Sequence, residues 1–200
     1  MELCMILIRC NFDAKIINPI DKSNYFRNFV PDMTKLYLIR HGQTVDNMNQ
    51  IMQGQTQGEL TDEGVRQAQE LASQFADTQI DVFVSSDLKR SVDTCRIIAT
   101  PRGKEVVQTP LLRERDWGSF TGRFIPDLKG EVWPDDIESL DDLKARALRF
   151  LDFVKAEFPD KVVLAVGHGI INKAIQAVYH KKAMQEIPRM ANAEVRVIKL

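Results

Sequence analysis

The sequence predicts an α/β domain built on a largely parallel sheet. From Met33 onward, short apolar runs alternate with amphipathic helical patterns, which is how such a sheet is written in sequence. Three of those runs also end in polar residues, where open α/β sheets place their ligands. With 200 residues and 44% hydrophobic side chains, the chain is long enough to bury one sizeable core.

Leu36 to Ile39 reads as a buried strand. Thr61 can cap a helix in which Val65, Ala68, Leu71, Ala72 and Phe75 recur at helical spacing, with Asp62 and Glu63 at its positive end. Ile80 to Val84 reads as a second strand. Leu88, Val92, Cys95 and Ile98 mark a helix stopped at Thr100-Pro101, with a short strand at Val106-Val107 after it. Ser139 and Asp142 form an expected capping box for a helix along Leu143, Ala147, Phe150, Leu151 and Val154, which Pro159 ends. Val162 to Val166 is the most strand-like run, Ile170 to Tyr179 follows as a helix, and Val195 to Leu200 closes as a strand.

Residues 1–32 show no clear period and read as an N-terminal extension, outside a domain of residues 33–200; Met33 is the expected true start. Lys and Arg total 27 against 28 Asp and Glu, with no basic stripe, which argues against nucleic acid as a partner. Cys4, Cys10 and Cys95 have no paired spacing, so neither a disulfide framework nor a zinc ribbon is expected. The early apolar run, Leu3 to Ile8, is short for a signal peptide, and no run approaches the roughly 20 apolar residues of a membrane span. A cytoplasmic protein is the expectation.

The chemistry gathers at the ends of the strands. Leu36 to Ile39 runs into Arg40-His41-Gly42, Ile80 to Val84 into Ser85-Ser86-Asp87, and Val162 to Val166 into Gly167-His168-Gly169. Two of three histidines thus occupy equivalent positions, each beside a glycine that would let a ligand approach closely. Arg40, and Arg90 in the first turn of the following helix, can bring guanidinium groups to an anion, for which a phosphate dianion is the obvious occupant. Taken singly, each histidine would be read as a core residue and Arg90 as a solvated surface cation. Metal is not implied: His180 is isolated, and neither an H-E-x-x-H motif nor a calcium loop occurs.

Leu38-Ile39-Arg40-His41-Gly42-Gln43-Thr44 with Asn47 resembles the signature of the histidine phosphatase superfamily, the phosphoglycerate mutase-like fold. Gln53-Gly54-Gln55, Leu60 to Gly64, Ser85 to Ser91, Leu112-Arg113-Glu114, Gly118 to Gly122 and Gly167-His168-Gly169 resemble further blocks of that family, in family order. The resemblance implies a three-layer α/β/α sandwich and a phosphoenzyme mechanism. In it His41 attacks phosphorus as the neutral imidazole. Arg40, Arg90 and His168 hold the phosphoryl oxygens with Asn47 and Gly169 beside them, and Glu114 protonates the leaving alkoxide and later activates water.

Two positions depart from the pattern. Thr121 stands where many members carry Glu, and Gln43 where members often have Glu. Specificity is expected in the connection between Thr121 and Ser139, through Arg123, Lys129, Trp133 and Glu138, while Trp117 reads as packing. That short cap resembles the family's small phosphatases more than its mutases, so hydrolysis of a small phosphorylated metabolite is expected. Mutase-type phosphoryl transfer, an α-ribazole phosphatase and a non-catalytic phosphoester-binding module remain alternatives. A nucleotide-dependent protein fits poorly, since Gly167 to Asn172 lacks the third glycine of a dinucleotide fingerprint and no P-loop occurs.

Overall fold

The computed structural model describes residues 33–200; the N-terminal extension of residues 1–32 lies outside the described residues. Five strands, β1 (Lys35–Arg40), β2 (Val82–Ser86), β3 (Val106–Thr109), β4 (Val162–Gly167) and β5 (Val195–Lys199), form one sheet in the order β3-β2-β4-β1-β5. All neighbours are parallel except β5, which runs antiparallel along β1 at the edge. The second and last strands are shifted from expectation. Ile80 precedes β2, which gains Ser85 and Ser86, and Leu200 lies beyond β5.

Strand side chains alternate between two cores, as a sheet covered on both faces requires. Leu36, Leu38, Val84, Val163 and Ala165 face one apolar cluster with helices α4 (Leu140–Glu157) and α5 (Gly169–His180). Ile39, Phe83, Leu164 and Val166 face the other, with α2 (Asp62–Gln74) and α3 (Lys89–Ala99). The result is the expected three-layer α/β/α arrangement. A four-residue helix, α1 (Val45–Met48), was not legible, being too short for a period; the Thr44 hydroxyl caps it by accepting from the Asn47 N–H.

Helix ends follow the sequence closely. The Thr61 hydroxyl accepts from the Gly64 N–H at the start of α2, and the Ser139 hydroxyl from the Asp142 N–H at the start of α4. The latter is half of a capping box, because the Asp142 carboxylate accepts from the Ser139 hydroxyl rather than reaching its backbone. Cys95 is buried on α3, where burial raises its thiol pKa and makes it unreactive.

Gly42 corrects one expectation. A Cβ there would lie 2.4 Å from the Gly64 carbonyl oxygen, and one on Gly64 would lie 2.0 Å from that of Gln43, so these two glycines let the chain after β1 pack on the start of α2. Gly42 therefore serves backbone contact, not ligand approach. Gly64→Ala should cost about 2 kcal/mol despite alanine's better helix propensity, because backbone must move on both sides. Denaturant unfolding checks this, and unchanged stability would contradict it.

Candidate active site

Parallel strands β1 and β4 are adjacent, so their C-terminal ends set two histidines side by side: Arg40 ends β1, His41 follows it, and His168 follows β4. The two imidazole centroids are 5.0 Å apart, and both rings are buried. His41 Nδ1 lies 2.7 Å from the Gly42 carbonyl oxygen, which only a protonated nitrogen can satisfy. That leaves His41 Nε2 unprotonated, and it accepts from Arg90 Nε at 3.3 Å. The ring is thus a fixed tautomer with its free lone pair turned toward a guanidinium.

Burial, then the charges of Arg90 and Arg40, hold His41 well below the ordinary histidine range, against a smaller opposing effect of the Gly42 carbonyl. His168 is lowered in the same way, by burial first, then by Arg90, His41 and Arg40. Both are neutral in the folded protein at neutral pH, whereas the unfolded chain protonates them below about 6.5. The unfolded state then binds more protons, so stability is full above that value and falls as pH drops through it toward the lower folded pKa. Unfolding from pH 8 to pH 5 should show a loss approaching about 1.4 kcal/mol per pH unit for each histidine. A flat profile would contradict neutral buried rings.

Arg90, only 1% exposed, is one of the largest fully buried side chains, and burial lowers it to about 10, which leaves it cationic. It reaches the site from the first turn of α3 and donates to the carbonyls of Gly54, Thr56 and Gln57 as well as to His41. Arg40 donates through Nη1 to the Met190 carbonyl, while its Nε and both nitrogens of His168 are buried without a partner among the described residues. These are polar atoms in low dielectric whose hydrogen bonds remain to be made.

Glu114 is buried and receives the N-terminus of α5: its carboxylate accepts from the N–H groups of Ile170, Ile171 and Arg115. Its neighbours do not pair with it, since Arg113 is bonded to Asp87 and Arg115 stacks on Trp117 and Trp133. A Cβ on Gly169 would sit 3.6 Å from both Arg40 Nε and Glu114 Oε2, so this glycine does open space beside the charged groups. Asn47, from α1, donates to Gln53 and accepts from Asn192.

All the expected site residues therefore converge at one end of the sheet, whereas Ser85, Ser86 and Asp87 do not join them. The two serine hydroxyls bond backbone and Asp87 holds Arg113; the second strand contributes Arg90 alone. Gln43 ties the β1 loop to α2 through Thr61 and Gln67. Thr121 lies beside Gly54, whose φ of +53° requires glycine, and anchors the loop there.

The pocket is lined by Arg40, His41, Asn47, Gln53, Gly54, Arg90 and Glu114, with Ile51, Met52, Trp117, Ile125 and Arg189 around them. The expected specificity contacts lie elsewhere: Arg123 pairs with Glu131, Glu138 with Arg146, Lys129 is exposed, and Trp133 packs on Trp117. Of the connection between Thr121 and Ser139, only Ile125 lines the pocket. Among the described residues no group of three or more His, Cys, Asp or Glu is placed to hold a metal, and no helix is long and apolar enough to cross a membrane.

Residues 36–200 match the histidine phosphatase superfamily (branch 1). The chain belongs to this family. Among its relatives, the uncharacterized phosphatase PhoE of Bacillus subtilis is 36% identical over 68% of this chain and 72% of its own. The Probable phosphoglycerate mutase GpmB of Proteus mirabilis is 41% identical over 50% of this chain; the match spans about half of that relative, 48%. Among solved structures, a mycobacterial glucosyl-3-phosphoglycerate phosphatase in complex with VO3 superposes with a TM-score of 0.76 at 28% identity, covering 82% of this chain and 92% of the other. Histidine phosphatase relatives thus include both phosphatases and mutases.

Proposed function

We propose that this histidine phosphatase superfamily member is a metal-independent phosphomonoesterase that hydrolyses a small phosphorylated metabolite through a phosphohistidine intermediate. The observation that carries the reading is the fixed His41 tautomer: a neutral ring with its free nitrogen beside Arg90, in a pocket that also holds two unpartnered His168 nitrogens and Arg40 Nε. A phosphoryl group there would receive those donors on its oxygens while His41 Nε2 attacks phosphorus in line and the P–O bond to the leaving group breaks. The alkoxide takes a proton from the Glu114 carboxyl, which lies across Gly169 from Arg40. The resulting Glu114 carboxylate then removes a proton from water as that water attacks the phosphohistidine, releasing phosphate and restoring His41.

Hydrolysis is preferred to mutase chemistry because the connection from Thr121 to Ser139 leaves the pocket mouth open rather than roofed, its polar side chains being paired elsewhere. The domain of residues 33–200 is proposed to carry the activity, in a cytoplasmic setting. Phosphate release from an aryl phosphate, measured in a chelator for the full chain and for one starting at Met33, tests these statements together. Equal, chelator-resistant release supports them; release that disappears in chelator contradicts metal independence, and loss of activity on starting at Met33 contradicts the domain boundary. Transfer to an added phosphoglycerate in place of water would favour a mutase.

A further inference from the structure

We infer that Arg189 is a specificity-determining residue that receives a second anionic group on the substrate, selecting phosphomonoesters that carry another negative charge near the ester; this rests on the phosphomonoesterase reading. Arg189 lines the pocket yet is exposed, which places it at the mouth and not among the buried phosphoryl donors. Among the described residues it has neither an ion pair nor a hydrogen bond. The acids that could quench it are occupied: Glu194 pairs with Arg196 and accepts from the Ala191 N–H, and Glu114 is held by three backbone N–H groups.

The backbone that carries Arg189 is fixed to the site. The Met190 carbonyl accepts from Arg40 while the Met190 side chain is buried, Asn192 donates to the His41 carbonyl and to Asn47, and the Ala193 N–H bonds the Arg40 carbonyl. Arg189 is therefore held on the same frame as the phosphoryl donors. The rest of the rim, Ile51, Met52, Trp117 and Ile125, is apolar, so a substrate's carbon framework can lie along it while a distal anion meets the only rim cation among the described residues. A guanidinium suits a carboxylate or a phosphate equally, so the shared chemistry is a second anion.

Three probes distinguish the cases: ethyl phosphate, phosphoglycolate with its carboxylate, and ethylene glycol bisphosphate. The native chain should favour one or both doubly charged probes over ethyl phosphate in kcat/KM. Arg189→Gln should lower that ratio about tenfold, and Arg189→Lys should recover part of it. Which doubly charged probe is favoured tells carboxylate from phosphate. A native chain without preference, or a ratio unchanged in Arg189→Gln, overturns the assignment. If none of the probes is hydrolysed, the phosphatase reading fails on its own. The three probes are then compared by their protection of the chain against heat, where an extra protection lost in Arg189→Gln supports the second-anion site and equal protection overturns it.

Discussion

His41→Ala should lower phosphate release at least about 10⁴-fold while leaving the chain folded, because no other side chain in the pocket can form the covalent intermediate. His168 is the nearest candidate for substitution, at 5.0 Å between ring centroids. Its two nitrogens, however, have no hydrogen bond that fixes a tautomer, whereas the Gly42 carbonyl fixes that of His41. Residual binding should survive: Arg40, Arg90 and His168 remain in place, so a phosphate ester should still protect the variant against heat. Steady hydrolysis by His41→Ala, with circular dichroism showing a native fold, would refute the assigned nucleophile.

Arg90→Ala should be damaging twice over. It removes a donor aimed at the reacting nitrogen, which should cost about 10³-fold in kcat/KM, and it empties a site filled by one of the largest buried side chains. The Gly54 carbonyl is buried and loses its donor, while those of Thr56 and Gln57 can turn to water, so a stability loss of about 3 kcal/mol is expected. Lysine cannot reproduce a fork that holds three carbonyls and a ring nitrogen together, so Arg90→Lys should recover little activity. Rates are to be taken at a temperature where denaturant curves show the variant folded. A fully active, fully stable Arg90→Ala would contradict both roles.

The two histidine positions were legible because a strand that ends in a polar triplet announces where its side chains emerge, and β1 and β4 both do so. Glu114 was legible only through its motif. By residue type alone, Glu114 between Arg113 and Arg115 reads as a surface ion-pair member, and what makes it buried is the N-terminus of α5, more than fifty residues away. Sequence spacing holds no trace of such a contact. The same distance hid Arg189, Met190 and Asn192, which reach the site from a segment about 150 residues beyond β1, without helical or strand period. Ile51, Met52 and Ile125 were hidden for another reason. They sit in irregular chain joined by an isolated bridge between Ile51 and Phe124, so the pocket wall forms only once both loops are in place.

Gly42 and Gly169 show how a correct residue can carry an incorrect reason. Both flank a histidine, and both are plausible points of ligand approach, yet only Gly169 faces the charged groups. The sequence could not tell close packing of two backbones from open space, since each demands the absence of a Cβ.

The most direct test of the central claim is to mix the protein with a phosphate ester, quench within the first turnovers under alkaline conditions that preserve phosphohistidine, and locate the phosphoryl group by peptide mass spectrometry. The account predicts it on the peptide containing His41, at His41 itself. A phosphoryl group on another residue, or turnover with no phosphorylated enzyme at any quench time, would contradict it.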